Sequence, residues 1–172
     1  KYGRVIKVSE NQSATSEEAY SHGDCIGMLF LNSPILQELE EKIEIIFIDV
    51  VDDDVSSLVA AMKIALEEKV DVVSISLGTY EDNSDLWNIT QKLINNGTIV
   101  LSSSGSDATS QYLYPASYEG VISVTCVDAN MRYMMFNNAN DAISISVPGE
   151  KVQIDREGGV IEKTGSSASC AI

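Results

Sequence analysis

Short runs of β-branched residues alternate along this chain with longer segments whose apolar residues recur every three or four positions. That alternation limits the fold more than any other feature. Arg4-Val-Ile-Lys-Val8, Glu44-Ile-Ile-Phe-Ile-Asp-Val50, Val70-Asp-Val-Val-Ser-Ile-Ser76, Thr98-Ile-Val-Leu-Ser102 and Val121-Ile-Ser-Val-Thr-Cys-Val127 read as strands. Ala142 to Val147 and Val152 to Ile154 follow near the end. Helical period marks the stretch from His22 through Cys25, Ile26, Leu29 and Phe30, the stretch Val55 to Glu68 with Leu58, Met62 and Leu66 on one face, and Ser84 to Asn95. Asp52-Asp53-Asp54 precedes the second of these and opposes its positive N-terminus; Asn95-Asn96-Gly97 closes the third as a C-cap. Apolar strands separated by helices imply a mainly parallel central sheet flanked by helices, an α/β fold in three layers.

The chain has 172 residues, 44% apolar and 22% charged, which is the composition of a globular domain with a real core. No Pro/Ser linker or internal repeat divides it, so residues 1–172 are expected to form a single domain. Its 11 basic and 26 acidic residues give a net charge of −15, and a surface this acidic repels phosphate backbones, which argues against nucleic acid as a partner. No run of about 18 apolar residues is present, so no membrane-spanning segment is expected. No secretory signal pattern opens the chain, a soluble protein is expected, and its location is left open. The three cysteines, Cys25, Cys126 and Cys170, are odd in number and widely spaced, which suits buried apolar side chains better than a disulfide framework.

In parallel sheets, ligands bind beyond the carboxyl ends of the strands. Three polar, glycine-containing stretches fall at such ends: Ser76-Leu77-Gly78, Ser103-Ser104-Gly105-Ser106 and Thr164-Gly165-Ser166-Ser167. His22, the only histidine, opens a helix after the polar loop Ser9 to Ser21. A histidine and a distant Gly-x-Ser suggest a nucleophile and its base brought together by folding. Taken singly, an exposed histidine is commonly incidental and Gly-x-Ser says almost nothing. Neither G-x-G-x-x-G nor a Walker lysine motif is present, which disfavours nucleotide binding. A zinc site from His22, Cys25, Cys126 and Cys170 is disfavoured because Cys25 lies on an apolar helix face and Cys126 inside a strand. Met131 to Phe136 fits an extended connection of mixed packing better than a binding surface, and Tyr112, Tyr114 and Tyr118 near Pro115 fit loop packing.

Order and spacing of these segments add a resemblance. Ser21-His22-Gly23-Asp24-Cys25-Ile26-Gly27, Asp71-Val-Val-Ser-Ile-Ser-Leu-Gly78, Gly97-Thr-Ile-Val-Leu-Ser-Ser-Ser-Gly-Ser106, Tyr114-Pro-Ala-Ser-Tyr-Glu-Gly-Val-Ile-Ser-Val124, Val147-Pro148-Gly149 and Gly165-Ser166-Ser167-Ala168 occur in succession. They resemble the H-G-T-H-V-A-G, S-L-G, A-A-G-N, Y-P-A, A-P-G and G-T-S-M segments of the subtilisin-like serine proteases, the subtilases. The resemblance covers nearly the whole chain. It implies a serine endopeptidase acting on peptide or protein substrates, with Ser167 as nucleophile and His22 as general base. It further implies an oxyanion hole from Ser106 and the backbone N–H of Ser167, a substrate-binding edge at Ser76, Leu77 and Gly78, and a side-chain pocket lined by Ser104 and Gly105. The register of the nucleophile rests on Gly-x-Ser, with Ser166 and Ser169 close by. No cofactor is implied; structural calcium occurs in the family, and no ligand set for it is evident here.

Three departures bear on activity. The family's catalytic aspartate lies in a D-[ST]-G motif before the histidine helix, and none occurs between Lys1 and Ser21. Asp49 falls after His22, where the resemblance places a core strand, and is no substitute. The expectation is a subtilisin-like domain lacking the first catalytic strand and cut at both ends, with the aspartate outside this chain. Ser106 stands where the family has asparagine, and Asp24 replaces a threonine beside the histidine, where a helix cap is favoured over a charge partner for His22. The alternative function is that of a pseudoprotease, a peptide-binding or scaffold domain that kept the cleft without the chemistry.

Overall fold

A computed structural model describes residues 3–7, 22–32, 43–50, 54–156 and 159–172. Its centre is a four-stranded, all-parallel sheet of β3 (Val72–Ile75), β4 (Ile99–Ser103), β5 (Ile122–Val127) and β6 (Ile145–Pro148) in that spatial order. Strands β1 (Gly3–Lys7) and β2 (Ile45–Asp49) form a parallel pair, and β7 (Val152–Arg156) and β8 (Gly159–Lys163) an antiparallel hairpin. The helices are α1 (His22–Leu31), α2 (Val55–Glu67), α3 (Ser84–Asn95) and α4 (Ser166–Ala171).

Alternation within a strand assigns the layers. On one face of the sheet Ile75, Val100 and Val121 are buried against Leu58 and Met62 of α2 and Leu86 and Leu93 of α3. On the other face, Ser74 donates its hydroxyl to the Cys170 carbonyl of α4 at 3.1 Å. Helices therefore cover both faces of a parallel sheet, the three-layer α/β arrangement expected. Cys25, Cys126 and Cys170 are all buried and free. Burial pushes the Cys170 thiol above its ordinary range.

Local chemistry sets the helix ends. Asp54 is the N-cap of α2 and accepts the Ser57 N–H at 2.6 Å, the main reason its carboxyl is held below the usual range. Asp52 and Asp53 of that acidic run, and the loop Ser9 to Ser21, lie outside the described residues. Asn83 caps α3 through the N–H groups of Asp85 and Leu86, and Asn96 with Gly97 (φ 89°) ends it. Asp24 lies in the first turn of α1, where a carboxylate opposes the positive end of the helix dipole.

Three expectations shift. The strand expected from Ala142 begins only at Ile145, because Ala142 N–H is taken up by the Asn140 side chain in a turn. The strand expected over Val152 to Ile154 reaches Arg156 and returns as β8. The Met131 to Phe136 segment is a connection, but one of bends and turns and not an extended run: Met131 has φ 62° and its N–H bonds the Asp128 carbonyl, and Asn137 N–H bonds the Met134 carbonyl, leaving Met135 94% exposed and Phe136 half-buried. Tyr114 and Tyr118 pack ring to ring at 4.7 Å, as loop packing requires.

Tyr118 also ties its loop to the N-terminal end of α3. Its hydroxyl donates to Asp82 Oδ1 at 2.9 Å and receives the Asn83 N–H at 3.3 Å. Burial, followed by the Asp82 carboxylate, pushes the phenol up to about 12. A folded pKa above the unfolded value of about 10 gives stability that is complete below pH 10 and is lost as pH rises through 12. Tyr118→Phe should therefore cost about 1–2 kcal/mol at neutral pH, with the gap to wild type narrowing from pH 10 upward in urea unfolding curves.

Candidate active site

The carboxyl ends of β3 and β4 and the start of α4 converge at one end of the sheet. Beyond β3, the chain runs through Ser76, Leu77 and Gly78 and pairs with the next segment. Thr79 N–H donates to the Tyr114 carbonyl at 2.9 Å, and Tyr114 N–H to the Thr79 carbonyl at 2.8 Å. Gly78 is required by this close approach, since a Cβ there would lie 2.7 Å from the Tyr114 carbonyl oxygen. Beyond β4, Ser104 and Gly105 are buried and Ser106 is exposed.

Three serines of α4 have different surroundings. Ser166 is 2% exposed; its hydroxyl accepts the Gly105 N–H at 3.2 Å and lies 3.1 Å from Ser106 Oγ. Ser169 is buried and donates to the Val147 carbonyl at 2.9 Å. Ser167 alone is half-buried; its hydroxyl reaches the Ser76 carbonyl at 3.5 Å, and Ser76 Oγ donates back to the Ser167 carbonyl at 3.2 Å. The edge read from Ser76 and the turn read from Gly165-Ser166-Ser167 are thus in direct contact across 91 residues of sequence.

Helix α1 lies against α4. Cys25 and Leu29 share a buried cluster with Ala168 and Ala171, closed by Ile154 of β7. His22 and Cys25 are three residues apart and so lie on the same side of α1, and Ala168 follows Ser167 directly. The packing therefore carries an exposed histidine and a half-buried serine on two helices in contact. Ser106 uses its oxygen to accept the Ser166 N–H at 3.1 Å. Because Gly165 offers no side chain to cap α4, this serine from the β4 loop performs that task.

One group was not found from sequence. Asn138 is fully buried and braces the β4 loop: its Oδ1 accepts the Asp107 N–H at 3.0 Å, and its backbone N–H donates to the Gly105 carbonyl at 3.3 Å. Its Nδ2 donates to Tyr80 Oη at 2.9 Å, and Tyr80 in turn donates to the Asp107 carboxylate. Burial and then Asp107 raise the Tyr80 phenol. This bridge joins the segment after Gly78 to the segment after Gly105. An Asn-Asn pair in a polar stretch carries no local signal of such a role.

The model of the subtilase family matches residues 10–172. The chain is a subtilase. It is 32% identical over 100 residues to the major intracellular serine protease of Bacillus subtilis (strain 168), an alignment covering 55% of this chain and 31% of that protein. This subtilase thus spans about a third of the length of the curated relative it matches. Among solved structures it is similar to the psychrophilic subtilisin-like protease Apa1 from the Antarctic psychrotroph Pseudoalteromonas sp. AS-11. The TM-score is 0.67 at 25% identity, covering 87% of this chain and 37% of that one. The protease domain of PatA shares the fold with a TM-score of 0.81 at 17% identity, over 99% of this chain and 68% of that one. Among the described residues of the subtilase, no helix is long and apolar enough to cross a membrane, and no group of three or more His, Cys, Asp or Glu is placed to hold a metal.

Proposed function

We propose that this chain carries the nucleophile and general base of a serine endopeptidase acting on peptide or protein substrates. The observation that carries the proposal is the environment of Ser167: of the three hydroxyls on α4, it alone is half-buried, set against the Ser76 edge while its neighbours are buried. In the proposed reaction Ser167 Oγ attacks a peptide carbonyl carbon while His22 takes the hydroxyl proton. The oxyanion that forms is held by the Ser167 N–H and the Ser106 hydroxyl. His22 then gives its proton to the leaving amine, and water repeats the sequence to release the acyl group. Ser76, Leu77 and Gly78 offer backbone to an extended substrate, and Ser104 and Gly105 line the adjacent pocket. A carboxylate partner would orient His22; the family's D-[ST]-G motif for it is absent from this sequence.

Ser106 in place of the family's asparagine favours a second reading, a peptide-binding domain without turnover. Labelling by a fluorophosphonate probe separates the two. An active site of the proposed kind is labelled in the wild-type chain and not in Ser167→Ala, with both giving the same circular dichroism. Labelling that persists in Ser167→Ala would reject Ser167, and a folded wild type that is never labelled would favour the binding domain.

A further inference from the structure

We propose that Ser166 is a positioning residue that aims the hydroxyl proton of Ser106 at the developing oxyanion; this rests on Ser167 being the nucleophile. A serine hydroxyl has one proton and two acceptor sites. Around this pair the donors and acceptors can be counted. Ser166 Oγ receives the Gly105 N–H at 3.2 Å, Ser106 Oγ receives the Ser166 N–H at 3.1 Å, and the two hydroxyl oxygens are 3.1 Å apart.

Two proton arrangements satisfy the distance between the oxygens. If Ser106 donates to Ser166, then Ser166 Oγ accepts twice, and its own proton, on a side chain only 2% exposed, has no acceptor in the described hydrogen bonds. If Ser166 donates to Ser106, every buried group is used. Ser166 then accepts from Gly105 and donates to Ser106, while Ser106 accepts twice and keeps one proton on an exposed residue. Buried donors are paired in folded proteins, which selects the second arrangement.

That arrangement has a chemical consequence. With both acceptor sites of Ser106 filled by Ser166, its own proton has no partner within the pair and is left, on an exposed residue, free to meet an incoming acceptor. Accepting two hydrogen bonds also polarises the Ser106 O–H, so that it is a stronger donor than an isolated serine. The Gly105 N–H, Ser166 and Ser106 therefore form a relay whose middle member, Ser166, directly precedes the proposed nucleophile and whose last proton is that of Ser106. An amide N–H at position 106 would need no relay, because its protons are fixed by the bond framework rather than by a free rotor.

The test is the saturating rate constant and half-saturating concentration for labelling by a fluorophosphonate probe, measured on the full chain. Removing one oxyanion donor costs about 10²-fold in rate. Ser106→Ala and Ser166→Ala should each lower the rate constant by about this factor with the half-saturating concentration unchanged, and the double variant should be no slower than the slower single one. Ser166→Thr, which keeps the hydroxyl, should restore the rate. In a Ser106→Asn background Ser166→Ala should cost less than about 3-fold, since the relay has nothing left to orient. If Ser166→Ala does not fold, Ser166→Cys, a weak donor, takes its place in the same comparison. Additive losses, or an undiminished rate in Ser166→Ala, would overturn the relay while leaving Ser167 as nucleophile. A wild type without labelling would overturn both.

Discussion

His22→Ala should slow fluorophosphonate labelling of Ser167 by about 10⁴-fold or more while leaving the melting temperature nearly unchanged. The two halves of that expectation come from different places in the structure. His22 is the first residue of α1 and its side chain is exposed, so truncating it removes little buried area. Cys25 and Leu29, one turn and two turns further on, are the residues that fasten α1 to α4, and they are untouched. The rate depends on a base able to take the Ser167 proton, and no other histidine exists in the chain. A loss below about 10-fold would remove His22 from the mechanism. A large drop in melting temperature would mean that it helps hold the two helices together.

Gly105→Ala should be among the most damaging single substitutions for stability, at about 3–5 kcal/mol by urea denaturation. Gly105 has φ 97°, a conformation that side chains disfavour, and a Cβ built there would lie 2.2 Å from Asn138 Nδ2. Asn138 cannot step aside cheaply, because it is fully buried and holds the Asp107 N–H, the Gly105 carbonyl and Tyr80. Displacing it would leave several of these groups unpaired in the interior. Adding Asn138→Ala should relieve the overlap but not the backbone strain, so the double variant should cost less than the sum of the two singles. Losses that simply add would show that the β4 loop relaxes independently of Asn138. Because Ser106 follows Gly105, the labelling rate should fall together with stability.

The strands and helices that carry the sheet were legible because each burial pattern is local. Val70 to Ser76 and Val121 to Val127 are β-branched runs, and Leu58, Met62, Leu86 and Leu93 recur at helical spacing toward one layer. Helix α3 runs from Ser84 to Asn95, as its Asn83 cap and the Asn96-Gly97 stop dictate. The β7–β8 hairpin is not legible because its strands are short and half-exposed, and neither shows a continuous apolar run.

By itself the sequence determined the layered parallel fold, the motifs that mark a subtilase, and the candidates His22, Ser106 and Ser167. Periodicity and short motifs are properties of neighbouring residues, so they survive in one dimension. Only the tertiary structure decided which serine of α4 has a half-buried hydroxyl, and what Ser106 does with its oxygen. Ser166 and Ser167 are adjacent and chemically identical, and they differ only because a helical step of about 100° turns one toward the buried Gly105 N–H and the other toward the Ser76 edge. The Asn138 brace belongs to the same class: its partners lie 31 and 58 residues away, and only the packing of β4 against the following loop brings them within hydrogen-bond distance.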